Sequence, residues 1–194
     1  MIKRELYMNR IRPFIGGELI KVMTGIRRSG KSVMLELIKE ELAEAGVAPS
    51  QMISINFEDM RYSHLQTATA LHDEIIKRAE GIEGKAYLFF DEIQEVEGWE
   101  KCVNSLRVAL DCDIYITGSN AKLLSGELAT YIGGRYVEFV IYPFSFAEVL
   151  ELYHTIAPSD SIQQCFQKYL LAGGMPYLAN LRYEEEPSRQ YLTD

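Results

Sequence analysis

Cysteine and histidine are scarce in this sequence, with three of each among 194 residues. The cysteines lie far apart and form no C-x-x-C pair, so they indicate neither a disulfide framework nor a zinc site: Cys102, Cys112 and Cys165. We expect them to be reduced thiols in a core or on a helix face. The histidines show no H-E-x-x-H spacing, and we expect them to be structural: His64, His72 and His154.

The sequence also lacks a long apolar run and an excess of positive charge. No stretch of about 18 apolar residues is present to span a membrane, and residues 1–17 mix charged and apolar residues, unlike a signal peptide. The net charge of -8 argues against broad attraction to the phosphate backbone of nucleic acids, although a local basic patch stays an option. We therefore expect a cytoplasmic protein without membrane association.

Short apolar runs alternate with segments of helical periodicity up to Pro143. The periodic segments begin after Lys31, near Leu71 and at Trp99, and a short helix is expected over 121–128. The strand-like runs cover residues 18–25, 52–57, 86–90, 113–117 and 135–142. This alternation predicts an α/β fold, in which right-handed crossovers build a parallel sheet with helices on both faces.

The pattern becomes helical beyond Pro143. Ser145 and Glu148 form a capping box at the start of one predicted helix, and a second helix precedes Gly173. We expect residues 1–145 to form a P-loop core and residues 146–194 to form a helical lid or the start of a second domain. Because tyrosine and leucine usually pack inside a protein, the last residues of the sequence suggest that a further region follows.

The segment from Gly25 to Ser32 matches the phosphate-binding pattern G-x-x-x-x-G-K-[S/T], between a predicted strand and a predicted helix. Its glycines let backbone N–H groups turn towards an anion at the N-terminus of the helix. Lys31 would contact the β- and γ-phosphates of a nucleotide, and the hydroxyl of Ser32 would ligate magnesium. Arg27 and Arg28 either contact a phosphate or a partner, or they are solvated charges of the loop. The expected nucleotide-binding residues are consecutive: Gly25, Ile26, Arg27, Arg28, Ser29, Gly30, Lys31, Ser32 and Val33.

Two acids follow the apolar run 86–90. Asp91 would hold magnesium, usually through water, and Glu92 would act as the general base that activates the attacking water. The alternative for Glu92 is a loop carboxylate without a catalytic role. GTPases usually lack this second acid and carry an N-K-x-D motif, which the sequence does not contain. ATP is therefore expected rather than GTP.

Polar residues also end the fourth predicted strand. Ser119 is the first choice for a residue that senses the γ-phosphate and positions the attacking water, with Asn120 and Thr117 behind it. The alternative is that these residues only cap a helix. Arg135 is a candidate arginine finger, which would stabilise charge in the transition state. It is equally well explained as a surface arginine that precedes a strand.

Longer stretches around these motifs carry a family resemblance through nearly the whole chain: Ile11–Phe14, Leu19–Leu35, Phe89–Gln94, Ile116–Ser125, Gly134–Tyr136, Pro143–Glu148 and Leu170–Pro176. In these stretches the sequence resembles the prokaryotic AAA-superfamily ATP-binding proteins that carry a C-terminal domain of unknown function. The doubled arginine of the phosphate loop is fairly specific for them. The resemblance implies an AAA-type fold with the sheet order 5-1-4-3-2, and a C-terminal domain beyond residue 194. It implies no cellular role.

We expect a magnesium-dependent ATPase module that is coupled to an unknown protein or nucleic-acid partner, with a homo-oligomer as one option. The alternative is a nucleotide-binding switch or interaction module in which ATP is a structural or switching ligand and turnover is negligible. A P-loop kinase is a weaker third option, because no second-substrate motif supports it.

Overall fold

The computed structural model describes residues 2–118, 132–156 and 160–193. Within these residues a single sheet contains five parallel strands in the order β2-β3-β4-β1-β5. Their bounds are Ile20–Thr24 for β1, Met52–Asn56 for β2, Ala86–Asp91 for β3, Cys112–Thr117 for β4 and Tyr136–Val140 for β5. Read from the other edge, this is the order 5-1-4-3-2, so the predicted fold class and sheet order are confirmed.

The helices of the described residues follow the predicted alternation, with two additions. Their bounds are Glu5–Ile11 (α1), Lys31–Glu44 (α2), Ala68–Ala79 (α3), Trp99–Ala109 (α4), Phe146–Ile156 (α5), Ile162–Ala172 (α6) and Glu185–Thr193 (α7). The sequence pattern predicted neither α1 nor α7. The helix predicted over 121–128 lies outside the described residues. None of the described helices is both long and apolar enough to cross a membrane.

Strand β5 is shorter than predicted, because its parallel pairing with β1 ends where Val140 faces Thr24. The next residue after Thr24 is Gly25, where the chain leaves β1. Without a partner strand, the segment after Val140 has no ladder of hydrogen bonds to continue. The strand therefore ends at Val140 and not at residue 142, and it begins at Tyr136, where the pairing with Ile20 of β1 begins.

The chain divides into two compact units. The larger unit comprises Glu5–Gly25 and Lys31–Val140, and it contains the sheet. The smaller unit comprises Met1–Arg4, Ile26–Gly30 and Ile141–Asp194. The expected division at residue 145 into a core and a helical segment stays a prediction.

The core of the larger unit covers the central strands of the sheet. All five residues of β1 are buried, as a parallel strand requires when both faces of its sheet are covered. The apolar side chains of β1, β3 and β4 form one cluster with those of α3 and α4, for example Val22, Leu88, Ile116, Leu71 and Val103. This packing fixes where the carboxyl ends of the strands lie, and with them the site described below.

A buried ion pair joins β1 to β4 within the larger unit. The Lys21 ammonium group contacts the Asp113 carboxylate, and both side chains are fully buried. The second Asp113 oxygen accepts hydrogen bonds from the Tyr115 hydroxyl at 2.7 Å and from the Gly16 N–H at 2.6 Å. Burial lowers the pKa of Lys21, although Asp113 opposes that shift. A lysine in a fully covered strand is thus compatible with the fold, because its charge is paired and hydrogen-bonded.

The smaller unit has its own apolar core, formed by α5, α6 and the segments that follow them. The cluster contains Val149, Tyr153, Cys165, Leu178 and Tyr183. The predicted capping box at the start of α5 is confirmed: the Glu148 carboxylate accepts the Ser145 N–H at 2.8 Å, and the Glu148 N–H donates to the Ser145 hydroxyl at 3.4 Å.

The three cysteines are free thiols, as expected. Cys102 and Cys165 are buried on helices, and Cys112 is half-buried at the start of β4. Burial raises the pKa of Cys102 to about 12, so this thiol stays protonated at neutral pH.

Candidate functional site

The carboxyl ends of four neighbouring strands meet at one edge of the sheet. Asn56 at the end of β2 is paired with Asp91 at the end of β3. Phe90 faces Ile116 in β4, so Thr117 lies level with Asp91, and Met23 of β1 faces Thr117 in turn. Ligands of open α/β sheets bind at this edge, because the loops that leave the strands converge there.

Asp91 is buried and held by hydrogen bonds from two neighbouring strands. The Thr117 hydroxyl of β4 donates to Asp91 Oδ1, and the Asn56 amide of β2 donates to Asp91 Oδ2 at 3.2 Å. The Asp91 carbonyl also accepts the Phe57 N–H at 3.0 Å. The carboxylate is therefore fixed in orientation at the point where a metal ligand is predicted.

Glu92 adopts the left-handed backbone conformation, with φ 55° and ψ 48°, which few residues other than glycine favour. Its N–H donates to the Thr117 hydroxyl at 3.0 Å, which satisfies the backbone group in this left-handed turn. One side-chain oxygen of Glu92 lies 3.7 Å from the Lys31 Nζ, and the other accepts the Gln94 amide at 2.5 Å. A strained residue held by several contacts is typical of a functional site.

Lys31 is the first residue of α2 and is almost completely buried, with its side chain 4% exposed. Its ammonium group donates to the Gly25 carbonyl at 3.4 Å and faces Glu92. The structure thus brings together Lys31, Asp91 and Glu92, which the sequence predicted to act in one site. Ser32, the predicted magnesium ligand, follows on the first turn of α2 and is exposed.

The middle of the phosphate loop belongs to the smaller unit. Gly30 has a φ of +100°, and Arg28 has a φ of +65° although it is not a glycine. The side chains of Ile26, Arg27, Arg28 and, beyond the loop in α2, Val33 are exposed. The Arg28 guanidinium lies 5.4 Å from the centre of the Tyr191 ring of α7, a cation–π distance.

One observation in each unit fits the binding of a magnesium–nucleotide complex. Ser29 is buried, and its hydroxyl has no hydrogen-bond partner among the described residues, a cost that a bound anion or water would remove. Asp91 and Ser32 supply oxygen ligands, which magnesium prefers. Within residues 2–118, 132–156 and 160–193, no group of three or more His, Cys, Asp or Glu could hold a metal ion. Phosphate oxygens and water would have to complete the coordination, as they commonly do for magnesium.

Arg135 lies at the amino ends of the strands, opposite to Gly25, where the chain leaves β1. Its carbonyl accepts the N–H of Ile20, the first residue of β1, and its guanidinium donates to Asn104 of α4 at 2.7 Å. With a rise of about 3.3 Å per strand residue, the length of β1 separates Arg135 from Gly25 by roughly 15 Å. This position gives no support to an arginine finger within one copy of the chain, and a role towards a second copy stays a prediction. Ser119 and Asn120 lie outside the described residues.

Two residues contact the predicted acids without having been first choices. Thr117 ranked behind Ser119, yet its fully buried hydroxyl contacts both Asp91 and the Glu92 backbone. The sequence pattern predicts no role for Asn56, although a polar residue at the end of the strand beside β3 is a signal for one. The sequence pattern ranked loop residues above strand ends, whereas the strand register decides which side chain is level with Asp91.

A protein-family model described as an AAA domain matches residues 18–150. An uncharacterized protein of Haemophilus influenzae is 43% identical over 176 residues, which cover 91% of this chain and 44% of that protein. An uncharacterized protein of Methanocaldococcus jannaschii is 34% identical over 185 residues, which cover 89% of this chain and 40% of that protein. The chain therefore spans less than half the length of these two relatives.

Solved structures share the fold at low sequence identity. Cdc6p from Pyrobaculum aerophilum matches 98% of this chain and 62% of its own, with a TM-score of 0.63 and 14% identity. Orc1 of Aeropyrum pernix, solved in complex with DNA, matches 97% and 65%, with a TM-score of 0.58 and 15% identity. DnaA from Aquifex aeolicus, solved with AMPPCP bound, matches 98% and 68%, with a TM-score of 0.52 and 14% identity.

Proposed function

The chain belongs to the AAA domain family, and from that premise we propose that it binds ATP with magnesium and hydrolyses it. The observation that carries the proposal is the meeting of the loop lysine with the acid pair. Lys31 Nζ lies 3.7 Å from Glu92, and Asp91 beside it is fixed by hydrogen bonds from both neighbouring strands. A cation for phosphates, a carboxylate for magnesium and a second carboxylate for water are the groups that this chemistry requires.

Lys31, Glu92 and Thr117 have different roles in the proposed hydrolysis of ATP. Asp91 and Ser32 would hold magnesium, which would supply a Lewis acid, and ATP would supply the γ-phosphoryl group that water attacks while ADP leaves. Lys31 exchanges its contact with Glu92 for the phosphates, which leaves the Glu92 carboxylate available to accept a proton from the attacking water. Thr117 holds Asp91 and the Glu92 backbone in one arrangement while this happens. Ser119 stays our proposal for the residue that senses the γ-phosphate.

We propose ATP rather than GTP as the substrate, because the chain has the double acid and lacks the N-K-x-D motif that reads guanine. DnaA from Aquifex aeolicus, a fold relative, was solved with AMPPCP, an adenine nucleotide. Competition titrations should therefore show GTP displacing a labelled ATP analogue less well than ATP does. Equal or better displacement by GTP would contradict this preference.

Lys31→Ala tests the site itself. The variant should lose about tenfold to a hundredfold in ATP affinity, because a charge-assisted contact contributes on the order of 1.5–3 kcal/mol. Calorimetric titration with magnesium–ATP measures this loss. Lys39→Ala is the matched control, since Lys39 lies on the same helix but pairs with Glu36 at 2.7 Å. If Lys31→Ala binds ATP as tightly as the parent chain, the phosphate-loop assignment is wrong.

The wider context of the activity is also a proposal. We propose a cytoplasmic module with residues 1–145 as the ATPase core and 146–194 as a helical lid or the start of a second domain, coupled to a protein or nucleic-acid partner. Arg135, exposed at the amino ends of the strands, would act only towards a second copy in a homo-oligomer. Phosphate release measured with DNA, RNA and co-purifying protein added one at a time tests for the partner, and no stimulation by any of them would favour a nucleotide-binding switch.

A further inference from the structure

Arg4 is a buried cation at the start of the smaller unit, with its side chain 1% exposed. Its backbone lies in the left-handed region, with a φ of 48°. Burying a guanidinium group and straining its backbone both cost free energy, so the contacts that it makes must compensate. Those contacts include the backbone of the phosphate loop.

One nitrogen of the Arg4 guanidinium, Nη1, donates to the Ser29 carbonyl at 3.0 Å. The peptide group between Ser29 and Gly30 is planar and trans, so its carbonyl and its N–H point in opposite directions. Fixing the Ser29 carbonyl towards Arg4 therefore turns the Gly30 N–H towards the opposite side of the loop. Amides of a phosphate loop bind the anion only when they point inwards together.

The rest of the guanidinium group is anchored at the start of α5. Nη2 donates to the Tyr142 carbonyl at 2.8 Å, and Nε donates to the Glu148 carboxylate at 2.9 Å. The guanidinium carbon lies 5.0 Å from the centre of the Phe144 ring. Because Glu148 also accepts hydrogen bonds from Ser145 in the capping box, the anchor is itself fixed. Arg4 therefore holds the Ser29 carbonyl at a place set by α5.

We propose that Arg4 is a positioning residue of the phosphate loop, which orients the Ser29–Gly30 peptide so that the Gly30 N–H is ready to bind a nucleotide phosphate. The proposal rests on the proposed function and adds to it a residue outside the sequence motif. Gly30 fits this role, because its φ of +100° disfavours a side chain and an added Cβ would lie 3.4 Å from Arg4 Nη1. Lysine can replace arginine only in part here, since a single ammonium group cannot span the carbonyls and the carboxylate as a planar fork does.

Arg4→Met tests the proposal, because methionine keeps an apolar stem and removes every donor. We expect affinity for both ATP and ADP to fall about tenfold or more by calorimetric titration. A loss of this size corresponds to the charge-assisted hydrogen bond from the Gly30 N–H to a phosphate, which the misoriented peptide can no longer make. In steady-state kinetics KM for ATP should rise while kcat changes by less than about threefold, because the hydrogen bond from Arg4 to Ser29 orients the loop that binds phosphate and not the proposed base. Amide hydrogen exchange of the loop peptide 26–31 without nucleotide should become faster. Arg4→Lys should show a smaller loss of affinity.

Val149→Ala separates positioning from general stability. Val149 is buried in the core of the same unit, so this variant lowers the melting temperature while the hydrogen bonds from Arg4 to Ser29, Tyr142 and Glu148 keep their partners. It should bind ATP like the parent chain at a temperature where both are folded.

If Arg4→Met and Arg4→Lys bind ATP like the parent chain, the proposal is wrong while the proposed function stands. If the parent chain itself binds neither ATP nor ADP, both are wrong. Should Arg4→Met fail to fold, Arg4→Lys and Glu148→Gln keep the test decisive, because both disturb the anchor and both must weaken binding.

Discussion

Replacing Glu92 with glutamine separates hydrolysis from binding at this site. The amide is nearly isosteric with the carboxylate, so the turn and its hydrogen bond from the Glu92 N–H to Thr117 should persist. What disappears is the group that can accept a proton from water, and the negative charge 3.7 Å from Lys31 Nζ. These two losses act on different measurable quantities.

The loss of a general base sets the expected change in rate. Proton transfer by a positioned side chain contributes about 10²–10⁴-fold, which corresponds to about 2.7–5.5 kcal/mol in the activation free energy. The loss of charge sets the expected change in affinity, because ATP no longer competes with Glu92 for Lys31. Ion pairs of this partly exposed kind contribute about 0.2–1 kcal/mol, so ATP binding should stay equal or tighten by up to about fivefold. The Glu92 side chain is 18% exposed, which keeps this estimate modest.

Single-turnover phosphate release and calorimetric titration measure the two quantities on the same preparations. Glu97→Gln is the matched control, because Glu97 is an exposed acid a few residues further along the chain. Asp91→Asn should behave differently and weaken the magnesium-dependent part of ATP binding. Equal hydrolysis by Glu92→Gln and the parent chain would refute the assignment of the base. An absence of turnover in the parent chain, with partners present, would favour a binding module.

Other predictions follow from single contacts. Thr117→Val removes the hydroxyl that bonds Asp91 and the Glu92 N–H, so turnover measured by phosphate release should fall about tenfold or more, and an unchanged rate would contradict its role. Burial alone would raise the pKa of Glu148, but hydrogen bonds from Arg4 and Ser145 lower it below its ordinary value near 4.5. Its contribution to stability is therefore present above that pH and lost as the pH falls further. Glu148→Gln should accordingly flatten the decline of the melting temperature in acid, and identical pH profiles would exclude this linkage.

Local sequence patterns were sufficient for the fold class, and they also supply the residue types of the proposed site. The glycines and lysine of the phosphate loop, the double acid after an apolar run and the capping box before α5 each depend on residues close together in sequence. Strand-to-helix alternation then restricts the sheet to few topologies, and the family resemblance selected among them. The same local patterns missed α1 and α7, whose bounds lie in segments rich in charged residues without a clear apolar period.

The sequence by itself determined that a glycine-containing loop with the pattern G-x-x-x-x-G-K-S follows one buried strand and that two acids follow another, because a tight glycine turn and a buried strand leave local signatures. Only the tertiary structure decided that Thr117 contacts both acids, since that contact depends on strand register and joins Thr117 to Glu92 across 25 positions. It also decided that Arg135 lies just before β5, at the amino ends of the strands. The contacts of Arg4 with Ser29 and with Glu148, the latter 144 positions away, were likewise decided by the tertiary structure. Periodicity records which face of an element is apolar, and it carries no information on which distant polar groups become neighbours.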